Sequence, residues 1–376
     1  MRIGIYTQPL RLNYGGLLQA WALQTVLRRM GHEVVTFNLC PYLYLSRKEK
    51  PYNYAKRIIN KCLGRINTIY LEEEHNKKYD EKIVNIQPFI NKYLKLKKFK
   101  SIKDINVAEY DTIIVGSDQV WRPMYNTGYG LTIETSFLDF AKNDNIKRIA
   151  YGASFGTTEW ELTDEQTTKC AELAKLFSAV SVREGSGVDL CERYLGIEAT
   201  QVLDPTMLLS KDDYEKIIDN SNNHEHPPGD LLYFILDKTD EKRNFVNKIA
   251  KEKGMQAFCG MSNFCNNKTK IDQNVQPSVE QWLRNFRDSS FVITDSFHGC
   301  VFSIIFHKPF VAIINNHRGA ARFISLANMF DLHNHLLFNI KDYDSSDTYT
   351  ISSETYKKWA ILKKNSLDFI YNSLSN

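Results

Sequence analysis

The chain has 376 residues, enough for two domains with separate cores. A hydrophobic share of 43% and a charged share of 24% suit an ordinary globular protein, and a net charge of +4 is too mild for a nucleic-acid binder while fitting an anionic or membrane-surface substrate. The seven cysteines form no C-x-x-C pair and are odd in number, which excludes an evident zinc site or disulfide framework and leaves reduced thiols as the expectation.

The chain opens directly on a strand, Arg2 to Thr7, with no secretory leader pattern before it. No apolar run reaches the roughly 18 residues of a membrane span. The expectation is a cytoplasmic protein, at most docked on the cytoplasmic membrane face. A turn-rich loop, Gln8 to Gly16, leads into a helix over Leu17 to Met30, where Ala20, Leu23, Leu27 and Met30 share one face. Gly31-His32 ends it, and Val34 to Phe37 reads as the next strand. This is a βαβ opening of Rossmann type. Residues 46–105 differ in kind: they are rich in Lys, Arg, Tyr and Asn, with helical spacing over Tyr54 to Leu63 and Glu72 to Tyr93. They read as a helical insertion over the first domain. Such a surface is either a solvated helical face or a contact for anionic lipid or an acidic acceptor.

Strands resume at Thr112 to Val115, Arg148 to Tyr151, Ala179 to Val182 and Gln201 to Leu203. Helices fit Thr163 to Phe177 and Asp212 to Asp219. Asn220 to Asp230, polar and proline-broken, is the linker candidate. A second α/β series follows, with strands at Leu231 to Leu236, Gln256 to Cys259, Phe291 to Thr294 and Pro309 to Ile314. Its helices are expected at Glu241 to Lys253, Val279 to Arg287 and Cys300 to Phe306. A long helix over Ser353 to Leu374 closes the chain. The expected architecture is α/β: two Rossmann-like domains, 1–219 and 231–345, facing across a cleft, with 346–376 packing back on the first.

One histidine stands in an informative place. The run Phe291-Val292-Ile293-Thr294 stops at Asp295-Ser296, and His298-Gly299 precedes an apolar helix. That sets His298 at the C-terminal end of a parallel strand, where open α/β sheets bind their ligands. A histidine there either carries protons near neutral pH or serves the turn structurally. Four further segments sit at strand ends: Asn13-Tyr14-Gly15-Gly16, Gly116-Ser117-Asp118-Gln119-Val120-Trp121, Val182-Arg183-Glu184-Gly185 and Asp204-Pro205-Thr206.

These segments, with Ser296-Phe297-His298-Gly299 and in this order, resemble the polysaccharide pyruvyl transferase family from about Ile3 to about Asn328. The resemblance implies a fold similar to the two-domain GT-B glycosyltransferases. It also implies transfer of pyruvate from phosphoenolpyruvate onto two sugar hydroxyls as a ketal; with no metal-ligand cluster visible in the sequence, neither metal nor cofactor is expected. The implied acceptor is a hexose with free 4- and 6-hydroxyls, such as galactose, in a lipid-linked precursor of a bacterial surface or capsular polysaccharide.

In that reading His298 is the general acid/base, and Asp118 accepts a hydroxyl or acts as a base. Arg183 and Arg318, with Ser296 and Gly299, hold the anionic donor. Asn13, Tyr14, Gly15, Gly16, Ser117 and Trp121 form the acceptor side. Trp121 and the Asp204 turn have a structural alternative in core packing and strand termination. Some relatives carry Arg-Leu-His where this chain has Ser296-Phe297-His298, so the donor grip differs here. Two rivals remain: a GT-B nucleotide-sugar glycosyltransferase, and a non-catalytic binding protein of a polysaccharide assembly complex.

Overall fold

Strands form where short β-branched and aromatic runs are covered on both faces, as parallel sheets require. Thr112-Ile113-Ile114-Val115 and Phe291-Val292-Ile293-Thr294 are buried at every position. The computed structural model describes residues 1–10, 12–39, 49–64, 68–126, 131–221, 225–261, 275–314 and 319–375. The first domain holds a 7-stranded sheet of β1 (Arg2–Tyr6), β2 (Glu33–Leu39), β3 (Leu96–Phe99), β4 (Thr112–Val115), β5 (Lys147–Ala153), β6 (Ala179–Val182) and β7 (Thr200–Gln201). Its strands are parallel and lie in the order β3-β2-β1-β4-β5-β6-β7. Its helices are α1 (Tyr14–Arg29), α2 (Glu49–Cys62), α3 (Leu71–Ile83), α4 (Gln87–Tyr93), α5 (Asp164–Ala174), α6 (Gly185–Leu190) and α7 (Lys211–Asp219).

The second domain holds a 5-stranded parallel sheet of β8 (Leu231–Phe234), β9 (Ala257–Cys259), β10 (Phe291–Thr294), β11 (Phe310–Ile313) and β12 (Leu336–Leu337), ordered β12-β11-β10-β8-β9. Its helices are α8 (Asp240–Lys253), α9 (Val279–Asp288), α10 (Phe297–Ile305) and α11 (Ala321–Phe330). The chain is thus an α/β protein of two Rossmann-like domains, the architecture expected from its sequence. The closing helix α12 (Ser353–Ser375) lies against the first domain: Ser366 Oγ accepts from Leu203 N at 3.0 Å, and Trp359 Nε1 donates to Met207 O at 2.8 Å.

Order reverses between β1 and β4 in the first sheet and between β8 and β10 in the second. Ligands bind outside the carboxyl ends of strands at such switch points. Here the two switch points face one another. One apolar cluster runs across the interface, from Leu17 and Leu23 of α1 to Trp282 and Phe302 of the second domain, and Tyr14 stacks on Trp282 at 5.1 Å. Among the described residues, no helix is long and apolar enough to cross a membrane.

Three local differences from expectation matter. The chain between β2 and β4 is not wholly helical, because Leu96–Phe99 pairs with β2 as a lysine-bearing edge strand. Helix α1 begins at Tyr14 rather than Leu17, which brings Gly15 and Gly16 into its first turn. Helix α10 begins at Phe297 rather than Cys300, which puts His298 in a first turn as well.

Candidate active site

A cleft of about 700 Å³ opens where the switch points meet. Its first-domain lining includes Gln8, Asn13, Tyr14, Gly15, Asp118 and Gln119. Its second-domain lining includes Asp295, Ser296, Phe297, His298 and Arg322. The strand ends after β1, β4, β8 and β10 therefore all reach it.

His298 sits at the floor, 6% exposed. A Cβ on Gly15 would fall 2.0 Å from its Nδ1, so only glycine lets the α1 backbone approach the ring this closely. On the other side, Nε2 lies 3.6 Å from Asp204 Oδ2. Asp204 comes from the first domain and His298 from the second, so the pair spans the interface. Asp204 is fully engaged: Oδ1 accepts from Thr206 N and Oγ1 at 3.0 and 2.6 Å, and Oδ2 accepts from Arg183 Nη1 at 2.5 Å. Burial alone would raise its pKa, but His298, Arg183 and Thr206 outweigh burial and hold it far below the usual carboxylate range.

Asp118 is the second buried carboxylate, in the left-handed region at φ 75°. Its Oδ1 accepts from Arg183 Nη2 at 3.3 Å and from Gln119 N at 2.9 Å, and its Oδ2 accepts from Asn13 Nδ2 at 3.4 Å. Burial again acts upward, and the charges of Arg183, His298 and Arg322 prevail to keep it ionised. Glu184 behaves oppositely. Burial lifts its pKa above the usual value even though Arg183 stands beside it and Ser154 donates to it.

The reading of Arg183 as a direct donor contact is corrected by its position. It is 1% exposed, lies behind the cleft wall, and spends its guanidinium on Asp204 and Asp118 while resting on the Phe297 ring at 4.6 Å. Among the described residues, Arg322, which sequence reasoning passed over, is the arginine that lines the cleft. It stands in the first turn of α11, with its guanidinium 5.6 Å from the Phe297 centroid. Burial and the like charge of Arg183 bring its pKa down to about 10. An incoming anion would offset both effects. Arg318 lies outside the described residues.

Three helix N-termini converge here, those of α1, α10 and α11. None has a side-chain cap hydrogen bond or an acidic residue in its first turn. Helices α5 and α7, elsewhere in the first domain, carry complete capping boxes and two acidic residues each at their starts. The cleft-facing amides and the positive ends of those three dipoles are thus left to a ligand.

Other expected site residues fall elsewhere. Trp121 is fully buried, stacked on Phe137 at 4.7 Å with Nε1 donating to Ser136 O, so it is a core residue and not a sugar platform. Ser117 is buried and donates to Gly152 O at 2.6 Å. Gly16 does not line the cleft, and a Cβ there would meet Asn13 Nδ2 at 3.2 Å. Gly299 lets α10 close on β10, since a Cβ would lie 2.2 Å from Thr294 Oγ1. Tyr14 lines the cleft, but its hydroxyl donates to Pro277 O at 2.7 Å.

The far wall comes from the insertion. His75, Lys78, Tyr79 and Lys82 of α3, at helical spacing on one face, line the cleft. Lys78 pairs with Glu74 at 2.5 Å. Among the described residues, no group of three or more His, Cys, Asp or Glu is arranged to hold a metal ion.

A family model described as polysaccharide pyruvyl transferase matches residues 13–317. No protein of curated function matches the sequence. Among solved structures, the chain is similar to UDP-GlcNAc 2-epimerase from Neisseria meningitidis bound to UDP-GlcNAc (8% identity, covering 100% of this chain and 99% of that one, TM-score 0.49). It is also similar to UDP-N-acetylglucosamine 2-epimerase from Rickettsia bellii (11%, 99% and 96%, TM-score 0.48). The calicheamicin glycosyltransferase CalG4 is a third (11%, 100% and 98%, TM-score 0.46).

Proposed function

The chain belongs to the polysaccharide pyruvyl transferase family, and on that premise we propose that it moves pyruvate from phosphoenolpyruvate onto two hydroxyls of a sugar. The product is a ketal, read as a 4,6-ketal on a hexose such as galactose, in a lipid-linked precursor of a bacterial surface or capsular polysaccharide. One observation carries the reading: three uncapped helix starts, Arg322 and a carboxylate-backed histidine converge on one cleft. Phosphoenolpyruvate carries a phosphate and a carboxylate, and this surface offers them free amides and a cation.

The steps balance. His298 gives a proton to C3 of the enol, and C2 becomes oxocarbenium-like. The first sugar hydroxyl oxygen bonds to C2 and loses its proton. The bond from C2 to the phosphate oxygen breaks, and inorganic phosphate leaves with the electron pair. The second hydroxyl closes on C2; of the two hydroxyl protons, one returns to His298 and the other leaves on the phosphate. The ionised Asp118, 6% exposed at the cleft wall, supplies negative charge near C2 and with Asn13 receives a hydroxyl. Asp204 Oδ2, 3.6 Å from Nε2, backs the His298 ring from behind.

Calorimetric titration of phosphoenolpyruvate into wild type, Arg322→Ala and His298→Ala tests this. Wild type binds. Arg322→Ala loses about 2–5 kcal/mol of donor affinity. His298→Ala keeps donor affinity, while acceptor-dependent phosphate release falls by roughly 10²–10⁴. A protein that ignores phosphoenolpyruvate with or without acceptor, yet is stabilised by a nucleoside diphosphate, is a nucleotide-sugar transferase instead.

A further inference from the structure

Helix α2 is built inside out. Asn53, Tyr54, Arg57 and Asn60 occupy its covered face, where Tyr54 meets Tyr70 edge-on and Arg57 fastens the helix to Glu72 at the start of α3 and to Ile69 O. The opposite face carries Tyr52, Ile59 and Leu63, which are 70%, 61% and 57% exposed, with Ile58 beside them. A helix of a globular protein normally does the reverse. Residues 49–64 also contain Lys50, Lys56, Arg57 and Lys61 against one acid, Glu49, at the first position of the helix. Among the described residues, none of the three lysines makes an ion pair. The stripe is therefore apolar at its centre and cationic at its flanks.

We infer that α2 is the surface by which this protein lies on an anionic lipid bilayer. The apolar stripe enters the boundary between headgroups and acyl chains, and the lysines meet lipid phosphates. A second copy is the poorer occupant, because a two-fold contact through this stripe would set the two lysine rows against each other. Since α2 is fastened to α3, and α3 forms a wall of the cleft, docking would hold the cleft beside the membrane. The inference stands on surface chemistry alone and does not depend on the donor.

The test is flotation of the full chain with vesicles of phosphatidylcholine, or of equimolar phosphatidylcholine and phosphatidylglycerol. Wild type floats with the mixed vesicles and not with the neutral ones. Each of Lys56→Glu and Lys61→Glu weakens partition by about five-fold or more, and added salt weakens it for wild type. Tyr52→Ser/Ile59→Asp weakens it by about ten-fold or more, with an unchanged melting temperature because both side chains are exposed. As a readout that leaves the stripe intact, Tyr52→Trp emission shifts to the blue with mixed vesicles. Wild type that stays at the bottom overturns the proposal, as does flotation indifferent to the apolar double variant. A wild-type dimer that the double variant dissolves, without lipid binding, would assign the stripe to a second copy.

Discussion

The cleft floor and the helical wall beside it use charge in opposite ways. At the floor, Arg183, Asp118, Asp204 and Glu184 are each almost wholly buried, and each charge is answered by another within a few ångströms. Along the insertion, charges lie at the surface or its edge, as with Lys78 and Glu74, and cations outnumber their partners on α2. A buried network fixes geometry and makes each member costly to remove, whereas a solvated one sets a field and tolerates change. The chemistry belongs on the first kind of surface, and attraction of anions belongs on the second.

The largest expected contrast is in stability. Arg183→Gln leaves Asp118 and Asp204 buried without their shared cation, and urea unfolding should show a loss of about 3–5 kcal/mol. Arg57→Gln in the insertion, which breaks the bidentate pair with the partly buried Glu72, should cost about 1 kcal/mol. Equal losses would mean that the floor is no better organised than the wall.

Gly15→Ala sharpens the contrast from the side of activity. The new methyl would overlap the His298 ring, so either ring or helix must shift. Turnover should fall by roughly 10²–10³, within the range of a displaced general acid. Helix propensity favours alanine by about 0.5–1 kcal/mol, so the melting temperature should move little. Unchanged turnover would show that the contact with Gly15 does not set the position of His298.

Acid titration separates the two regions by size, and within the floor it separates the carboxylates by sign. Asp118 and Asp204 have folded pKa values below their unfolded ones. Their contribution is complete above the unfolded carboxylate value, about 3.9, and is lost as pH falls through the folded values. Glu184, raised by burial, works against them: its ionisation is easier in the unfolded chain, so its contribution declines as pH rises from about 4.3 towards the folded value. Stability should therefore drop on acidification below about pH 4. Asp204→Asn should flatten that limb, and Glu72→Gln, at the edge of solvent, should change it far less. A limb insensitive to Asp204→Asn would place the acid-labile charge elsewhere.

The sequence was most legible where one residue type has one reason to be in place. Phe291–Thr294 and Thr112–Val115 are buried on both faces, and such runs have no other stable home, so their strand limits followed. His298 could be placed at a strand end for that reason. Asp204 was read as a strand stop, but β7 already ends at Gln201, and Asp204 Oδ1 instead caps the Pro205–Leu208 turn through Thr206. Nothing local tells that Oδ2 serves Arg183 and faces His298 some ninety residues away, because that contact exists only once the domains close. Arg322 was hidden because α11 has Ala320 at its N-cap and no polar cap, leaving no signal for a helix start. Trp121 follows a site loop, yet its indole N–H finds Ser136 O in the core, and an aromatic with a buried partner for its polar tip stays inside.

The smallest expected effect tests the wall alone. Lys78 and Lys82 face the same cleft, but Lys78 already has Glu74 at 2.5 Å, and Lys82 has no ion pair among the described residues. If the wall acts as a field on incoming anions, Lys82→Ala should weaken donor or anionic-acceptor binding several-fold, about 1 kcal/mol, and the loss should shrink as salt is raised. Lys78→Ala/Glu74→Ala should do less, since the paired side chains carry almost no net charge for the anion to lose. Arg322→Ala, at the buried floor, should lose far more and should respond little to salt, because screening reaches a solvated lysine and not a desolvated guanidinium. Calorimetry at two ionic strengths distinguishes these cases. A salt-independent loss at Lys82 would mean direct contact with the ligand and would move the wall into the binding site proper.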